Sequence, residues 1–273
     1  MWKSLLVGVA LCASSTSVSA GDLDALAQLL LEAHRKGAAM PILSLQHPDL
    51  DNQKAYAIQK IYVTQRLASD RLAGFKAGVT SKAAQQSLGL RRPATGVLFE
   101  SGRRSNGAVN GKSGFGGLFL ETEIGFIVGK TIQPQGERVN VHEIVRAVVP
   151  VIEVPDINFT DRTKRKGADL LAANVASAQF IVGQPIQVDF DINAISVSLK
   201  RDGQTLSSGR GSDAMSDQWI ALQFLIHTMR KQGYTLQPGH ILITGSLGKL
   251  VPGEPGHHVA DFGALGTIHF VVR

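Results

Sequence analysis

The chain has 273 residues, 44% of them hydrophobic, a formal net charge of +6 and a single cysteine. That length buries a sizeable core without disulfides, and one cysteine excludes a thiolate cluster. The basic surplus is mild and no Lys/Arg run is interleaved with aromatics, which excludes a nucleic-acid surface.

Residues 1–20 read as an export signal. Lys3 precedes the apolar run Leu5–Cys12, and Ser/Thr-rich sequence leads to a small-residue cleavage site at Ser19-Ala20. Cleavage there starts the mature chain at Gly21, places it in the periplasm or outside the cell, and removes the cysteine. Leu11 before Cys12 speaks against lipid attachment. No later apolar run is long enough to span a bilayer.

Residues 21–70 are expected to form a helical segment. Positions 23, 26, 30 and 33 are apolar between Asp22 and Gly37, which predicts a helix over 22–36. Ala55, Ile58, Ile61 and Tyr62 predict a second over 51–67. From 71 to 273, short apolar runs separated by Gly, Asn and Pro predict a β-rich catalytic domain packed as one unit with the helices, an α+β fold. Strands are expected at 71–79, 96–99, 119–128, 148–154, 178–182, 194–199, 240–243 and 267–272. Helices are expected over 141–148, around 168–173 and over 216–231. Asn106-Gly107 and Asp202-Gly203 are hairpin-turn signals. The densest basic cluster, Arg162–Lys166, reads as a solvated loop.

Within this pattern the stretch Leu120–Lys130 carries chemistry. Leu120, Ile124, Phe126 and Val128 share one strand face, and Glu121 and Glu123 share the other with Gly125 and Ile127. Carboxylates about 7 Å apart on one face repel, so water or a cation must offset them. A solvated strand edge meets that need, and so does a divalent ion. Val149–Glu153 delivers a third carboxylate, Glu153, at the end of an apolar run where burial is costly without a partner. Carboxylates without cysteine or an obvious histidine ligand favour Mg²⁺ or Mn²⁺ over zinc. Lys76, in the apolar stretch Gly74–Val79, either snorkels to solvent or faces that pocket as a proton donor and acceptor. There, desolvation and a nearby cation would lower its proton affinity. Thr244–Lys249 lacks phosphate-loop spacing, Ser113 and Ser246 make no nucleophile elbow, and His257-His258 reads as an exposed loop pair.

A series of short motifs then follows in order. Tyr56-Ala57-Ile58-Gln59, Gly74–Ser81, Gly96-Val97-Leu98-Phe99, Glu121-Thr122-Glu123-Ile124 and Ile152-Glu153-Val154 with Asp156 come first. Asn174-Val175-Ala176-Ser177 with Phe180 and Gly183, Pro238-Gly239, Ile243-Thr244-Gly245 and Ala260-Asp261-Phe262-Gly263 complete it. The series resembles the 2-keto-4-pentenoate hydratase and 4-oxalocrotonate decarboxylase branch of the fumarylacetoacetate hydrolase superfamily, across nearly all of the chain after residue 20. The resemblance implies a β-rich roll in which Glu121, Glu123 and Glu153 hold one Mg²⁺ or Mn²⁺. It implies a small-molecule 2-oxo acid chelated through its carboxylate and oxo oxygens, with Lys76 as the catalytic proton shuttle. Asn174, Ser177 and Thr244 are the substrate-binding candidates, and a homo-oligomer is expected. The implied activity is a metal-dependent hydratase or related lyase on a 2-oxo or 2-hydroxydienoic acid, with decarboxylase and C–C hydrolase as neighbouring chemistries. An exported oxo-acid-binding protein without catalysis is the alternative, and a metal-free remnant kept for its fold is a third. The chain departs from the pattern at Ala94, at Ile157 and Asn158, and at Ala173, where the relatives tend to carry polar residues.

Overall fold

The computed structural model describes residues 20–273, so the expected export signal lies, but for Ala20, outside the described residues. The N-terminal segment is helical as expected, with helices at Ala20–Arg35 and Asn52–Arg66 and one further helical turn at Leu43–Gln46. The Asp51 side chain caps the Asn52–Arg66 helix by accepting from the Lys54 N–H. Leu26, Leu30, Ile58 and Tyr62 on these helices join the same core as Phe75 and Phe126 from the strands. Burying each such side chain stabilises by roughly 1.5–3 kcal/mol. Gln59 pins the second helix further, donating to the carbonyls of Thr95 and Leu171.

The strands in chain order are β1 (Leu72–Gly78), β2 (Ala94–Phe99), β3 (Arg103–Ser105), β4 (Val109–Asn110), β5 (Phe119–Val128), β6 (Val145–Val154) and β7 (Gln179–Val182). They continue with β8 (Ser196–Arg201), β9 (Gln204–Arg210), β10 (Ile241–Ile243), β11 (Val251–Pro252), β12 (Gly256–Asp261) and β13 (Thr267–Val272). The larger sheet runs β2-β1-β10-β5-β6-β7-β3, with β11 added to the end of β5; the smaller runs β4-β13-β12-β8-β9. One face of the larger sheet packs on helices, and Trp219 of the Gln218–Lys231 helix sits 5.3 Å from the Phe126 ring. On the opposite face Ile127, Val149, Val151, Phe180, Ile241 and Ile243 make a second, smaller core. The three glutamates singled out above lie at one end of that second face.

Several expectations need correction. A helix over 141–148 is reduced to the turn Val141–Ile144, because residues 145–149 pair with β5, Ala147 opposite Ile127 and Val148 opposite Phe126. Asn106-Gly107 turns the chain without making a hairpin: β3 pairs with β7, while β4 joins β13 in the other sheet. The turn is held there by Asn106, which donates to the Thr267 carbonyl and accepts from the His269 N–H. Asp202-Gly203 does connect a hairpin, β8 to β9, although the polar sequence of β9 gave no strand signal and β8 itself starts at Ser196. His257-His258 is not a loop. It lies in β12, whose alternation leaves His257 exposed and buries His258 against Phe270, rings stacked at 4.8 Å.

Candidate metal centre

Antiparallel pairing builds the site. β5 presents Glu121 and Glu123 on one face, and its register with β6 sets Glu153 directly opposite Glu121. Oxygens of the three carboxylates lie within 4.8 Å of one another. The solvated-edge reading of β5 is excluded, since the strand lies in mid-sheet and Glu123 and Glu153 are each 1% exposed. Glu121 is only partly buried and is the member of the set that reaches solvent.

Lys76 is brought in from two strands away. Parallel pairing of β1 with β10 sets it beside Ile243, which in turn lies opposite Gly125 on β5, so lysine and carboxylates share a face. Gly125 is needed there: a Cβ would stand 2.8 Å from the Cγ2 atoms of both Val149 and Val151. Lys76 does not snorkel. It is 2% exposed, pairs through Nζ with the Glu153 carboxylate, and donates to the Val175 carbonyl at 3.2 Å.

The Val175 carbonyl reaches Lys76 through an unusual turn. Asn174, Val175 and Ala176 all adopt left-handed backbone, with φ of 54°, 54° and 55°. Such a conformation costs a non-glycine residue roughly 1–2 kcal/mol, and valine is poorly suited to it. The turn is braced by the Asn174 side chain, whose Oδ1 accepts from the Val97 N–H at 2.8 Å while Nδ2 donates to the Val97 carbonyl at 2.9 Å.

The electrostatics are those of a largely buried carboxylate cluster. At 4.8 Å and an effective dielectric of about 20, each pair of ionised carboxylates repels by roughly 3–4 kcal/mol. Burial and the charge on Glu153 push Glu121 up to about 7. Burial, then Glu153 and Glu121, push Glu123 well above the usual carboxylate range. For Lys76, burial works against the ammonium, but the fields of Glu153, Glu121 and Glu123 outweigh it and hold the group above its ordinary value. The lowered lysine expected from sequence presupposes a bound cation, whereas here the three carboxylates set the direction. Glu153 Oε2 is buried with no hydrogen-bond partner. An orphaned oxygen, beside two more carboxylates and with no Cys or His in the set, fits a hard divalent cation such as Mg²⁺ or Mn²⁺.

The substrate-binding candidates separate in the structure. Asn174 has both polar atoms engaged by Val97. Thr244 is fully buried, its hydroxyl 2.6 Å from Gln218 Oε1 and 3.1 Å from the Ile124 carbonyl. Ser177 lines a cavity of about 280 Å³ with Tyr62, Arg66, Asp156 and Asn158; none of the three glutamates lines it. Of the departures from the family pattern, Ala94 and Ala173 are buried and Asn158 lies on the wall of that cavity. Sequence reading missed Gln218 and the Gly245 N–H, which donates to Glu123 Oε2 at 2.8 Å. Backbone donors leave no trace in side-chain identity, and the only signal was the Thr-Gly pair closing a buried strand.

A curled mixed sheet, a helical N-terminal segment and a three-glutamate cluster define the class, and the chain belongs to the fumarylacetoacetate hydrolase family. Residues 84–273 match the family described as fumarylacetoacetate hydrolase, C-terminal. The chain is similar to a 2-keto-4-pentenoate hydratase of Paraburkholderia xenovorans strain LB400, 30% identical over 249 residues, covering 88% of this chain and 92% of the relative. It is 31% identical over 232 residues to the TodF product hydratase of Pseudomonas putida F1, covering 83% and 85%. Among solved structures, the fold is similar to 4-oxalocrotonate decarboxylase from Pseudomonas putida G7 complexed with magnesium and adipate. The TM-score is 0.86 at 20% identity, over 94% of this chain and 99% of that one.

Proposed function

We propose that this chain is a Mg²⁺- or Mn²⁺-dependent hydratase acting on a 2-oxo or 2-hydroxydienoic acid. The convergence of Glu121, Glu123 and Glu153 on one buried sheet face, with Lys76 on Glu153, carries the reading. The names of the relatives, several of them 2-keto-4-pentenoate hydratases, support the same direction. The three glutamates would hold the ion. When bound, it would supply Lewis acidity toward a 2-oxo acid.

The chain's own residues do the rest. Lys76 holds a proton at Nζ, buried on that face of the sheet, and the Val175 carbonyl fixes where that nitrogen points. Val151 and Ile243, fully buried on the same face, exclude water from that side. The Gly245 N–H keeps Glu123 aimed. Of the three substrate-binding candidates, Asn174 and Thr244 act one step back, through the backbone they hold, and Ser177 lines a cavity to which none of the three glutamates contributes.

Solvent deuterium exchange at C3 of 2-oxopentanoate with Mn²⁺, followed by NMR, tests the reading. Metal-dependent exchange is expected. Tight binding of the acid without exchange gives the protein to the oxo-acid-binding alternative instead. Export with cleavage near Ala20 belongs to the same proposal, supported by the Leu5–Cys12 run and the small residues after it. Assembly into a homo-oligomer also belongs to it, supported by the family resemblance and testable by light scattering.

A further inference from the structure

The loop that follows β10 is stitched to β5 at three successive points. The Thr244 N–H donates to the Ile124 carbonyl at 3.3 Å, the Gly245 N–H to Glu123, and the Leu247 N–H to the Thr122 carbonyl at 2.7 Å. Only the middle stitch ends on a glutamate of the site. Behind it stands a side chain from another element, Gln218, the first residue of the Gln218–Lys231 helix and 0% exposed. Its Nε2 donates to the Gly211 carbonyl, which can only accept, so its Oε1 must face Thr244. A threonine hydroxyl has one proton, and the 2.6 Å contact to Gln218 Oε1 takes it in preference to the 3.1 Å contact to Ile124. The helix end is itself fixed, since the Gln218 N–H donates to Asn193 Oδ1 and Asp217 caps the next two N–H groups. Gly245 has φ of +115°, and a Cβ there would stand 2.5 Å from Thr80 Cγ2, so only glycine fits, and its permissive backbone has no side chain of its own to hold the peptide in place.

We infer that Gln218 and Thr244 form a clamp that aims the Gly245 N–H at Glu123 and so sets the affinity of the three-glutamate site for its ion. Gln218 is a positioning residue: it touches neither ion nor substrate and acts through Thr244 and one peptide unit. The inference rests on the metal-site reading above. Partners that orient a metal ligand typically change affinity 10- to 100-fold when removed.

The test uses Thr244→Val, which keeps the shape and deletes the hydroxyl, Thr244→Ser, which restores it, Gln218→Met, and the double variant Gln218→Met/Thr244→Val. Mn²⁺ affinity is measured by electron paramagnetic resonance of free Mn²⁺, and amide exchange of Gly245 by NMR in EDTA. Thr244→Val and Gln218→Met should each weaken Mn²⁺ binding about 10-fold, the double variant no more than either alone, and Thr244→Ser should stay within about twofold of wild type. Gly245 exchange should rise in Thr244→Val while the amides of β6 keep their protection, a selectivity that general destabilisation does not give. Mn²⁺ binding within twofold of wild type in both single variants overturns the clamp. A wild type that binds no Mn²⁺ overturns the metal reading instead; the clamp is then decided by Gly245 exchange, and unchanged protection in Thr244→Val refutes it. If Thr244→Val fails to fold, Gln218→Met carries the same two readouts.

Discussion

Replacing Glu123 with glutamine should stabilise the metal-free protein and abolish its response to metal. The carboxylate has two anionic neighbours within 4.8 Å and is 1% exposed. Full ionisation would place roughly 3–4 kcal/mol of repulsion on each neighbour pair. The chain escapes most of this by keeping protons on the site, as the raised Glu121 shows. A rise from 4.5 to about 7 corresponds to roughly 3 kcal/mol of disfavoured ionisation at alkaline pH. Glutamine removes one of the interacting charges and keeps an acceptor for the Gly245 N–H, so a net gain of about 1–3 kcal/mol at pH 8 is expected. At roughly 2–4 °C per kcal/mol for a chain of this size, the melting point in EDTA should rise by about 3–10 °C. The pH dependence has a definite sign. Glu121 is held above its unfolded value, so the folded protein binds more protons between pH 4.5 and about 7, and stability falls as pH rises through that window. Wild type in EDTA should therefore melt lower at pH 8 than at pH 5, and Glu123→Gln should flatten the drop. Mn²⁺ at 100 times its Kd should add about 2.7 kcal/mol to wild type and nothing to the variant. Differential scanning fluorimetry across pH 5–8, with EDTA or Mn²⁺, measures all of these. An undiminished Mn²⁺ shift in Glu123→Gln, or wild-type stability that rises with pH in EDTA, would refute the reasoning.

Other substitutions probe other parts of the site. Lys76→Met should keep Mn²⁺-dependent 2-oxopentanoate binding within a few-fold while C3 exchange falls by about 10² or more; exchange as fast as wild type would place the proton-moving group elsewhere. Asn174→Ala strips two buried backbone groups of Val97 of their partners and should destabilise by about 2–4 kcal/mol, read from urea midpoints at constant slope. Protein recovered from an exporting cell should have an intact mass starting at or within a few residues of Gly21; retained Met1 or a lipidated Cys12 would defeat the export reading.

Much of the site was legible because side-chain identity and strand period determine it. Glu121 and Glu123 are two residues apart on a run whose other face is apolar, and that pattern alone puts both on the face away from the main core. Glu153 closed an apolar run, and its place opposite Glu121 needed only antiparallel pairing. What stayed hidden depends on backbone geometry or distant packing. No local propensity marks a left-handed turn through Asn174-Val175-Ala176, since valine disfavours it and partners across the fold, Lys76, Val97 and the Asp156 N–H, hold it. Residues 145–149 read equally as helix or strand by apolar content, and pairing with β5 decides between them. The polar strand β9 exists because β8 offers it an edge. The apolar run around Lys76 suggested its burial, while the direction of its proton affinity depends on how many carboxylates, and which cation, face it.

The left-handed turn at Asn174–Ala176 also bears on how this protein would drift under selection. Its conformation runs against the preference of the residues that occupy it, but Val175 is buried in the main core, so a glycine there would exchange roughly 1–2 kcal/mol of backbone strain for a larger loss of packing and would also loosen the carbonyl that holds Lys76 Nζ. Lineages or laboratory libraries selected for heat resistance alone would find no easy gain at this turn, since each of its three residues is buried. Thermal robustness and the hold on Lys76 are therefore coupled at one short stretch of backbone, and a screen that scores only the first would also preserve the second.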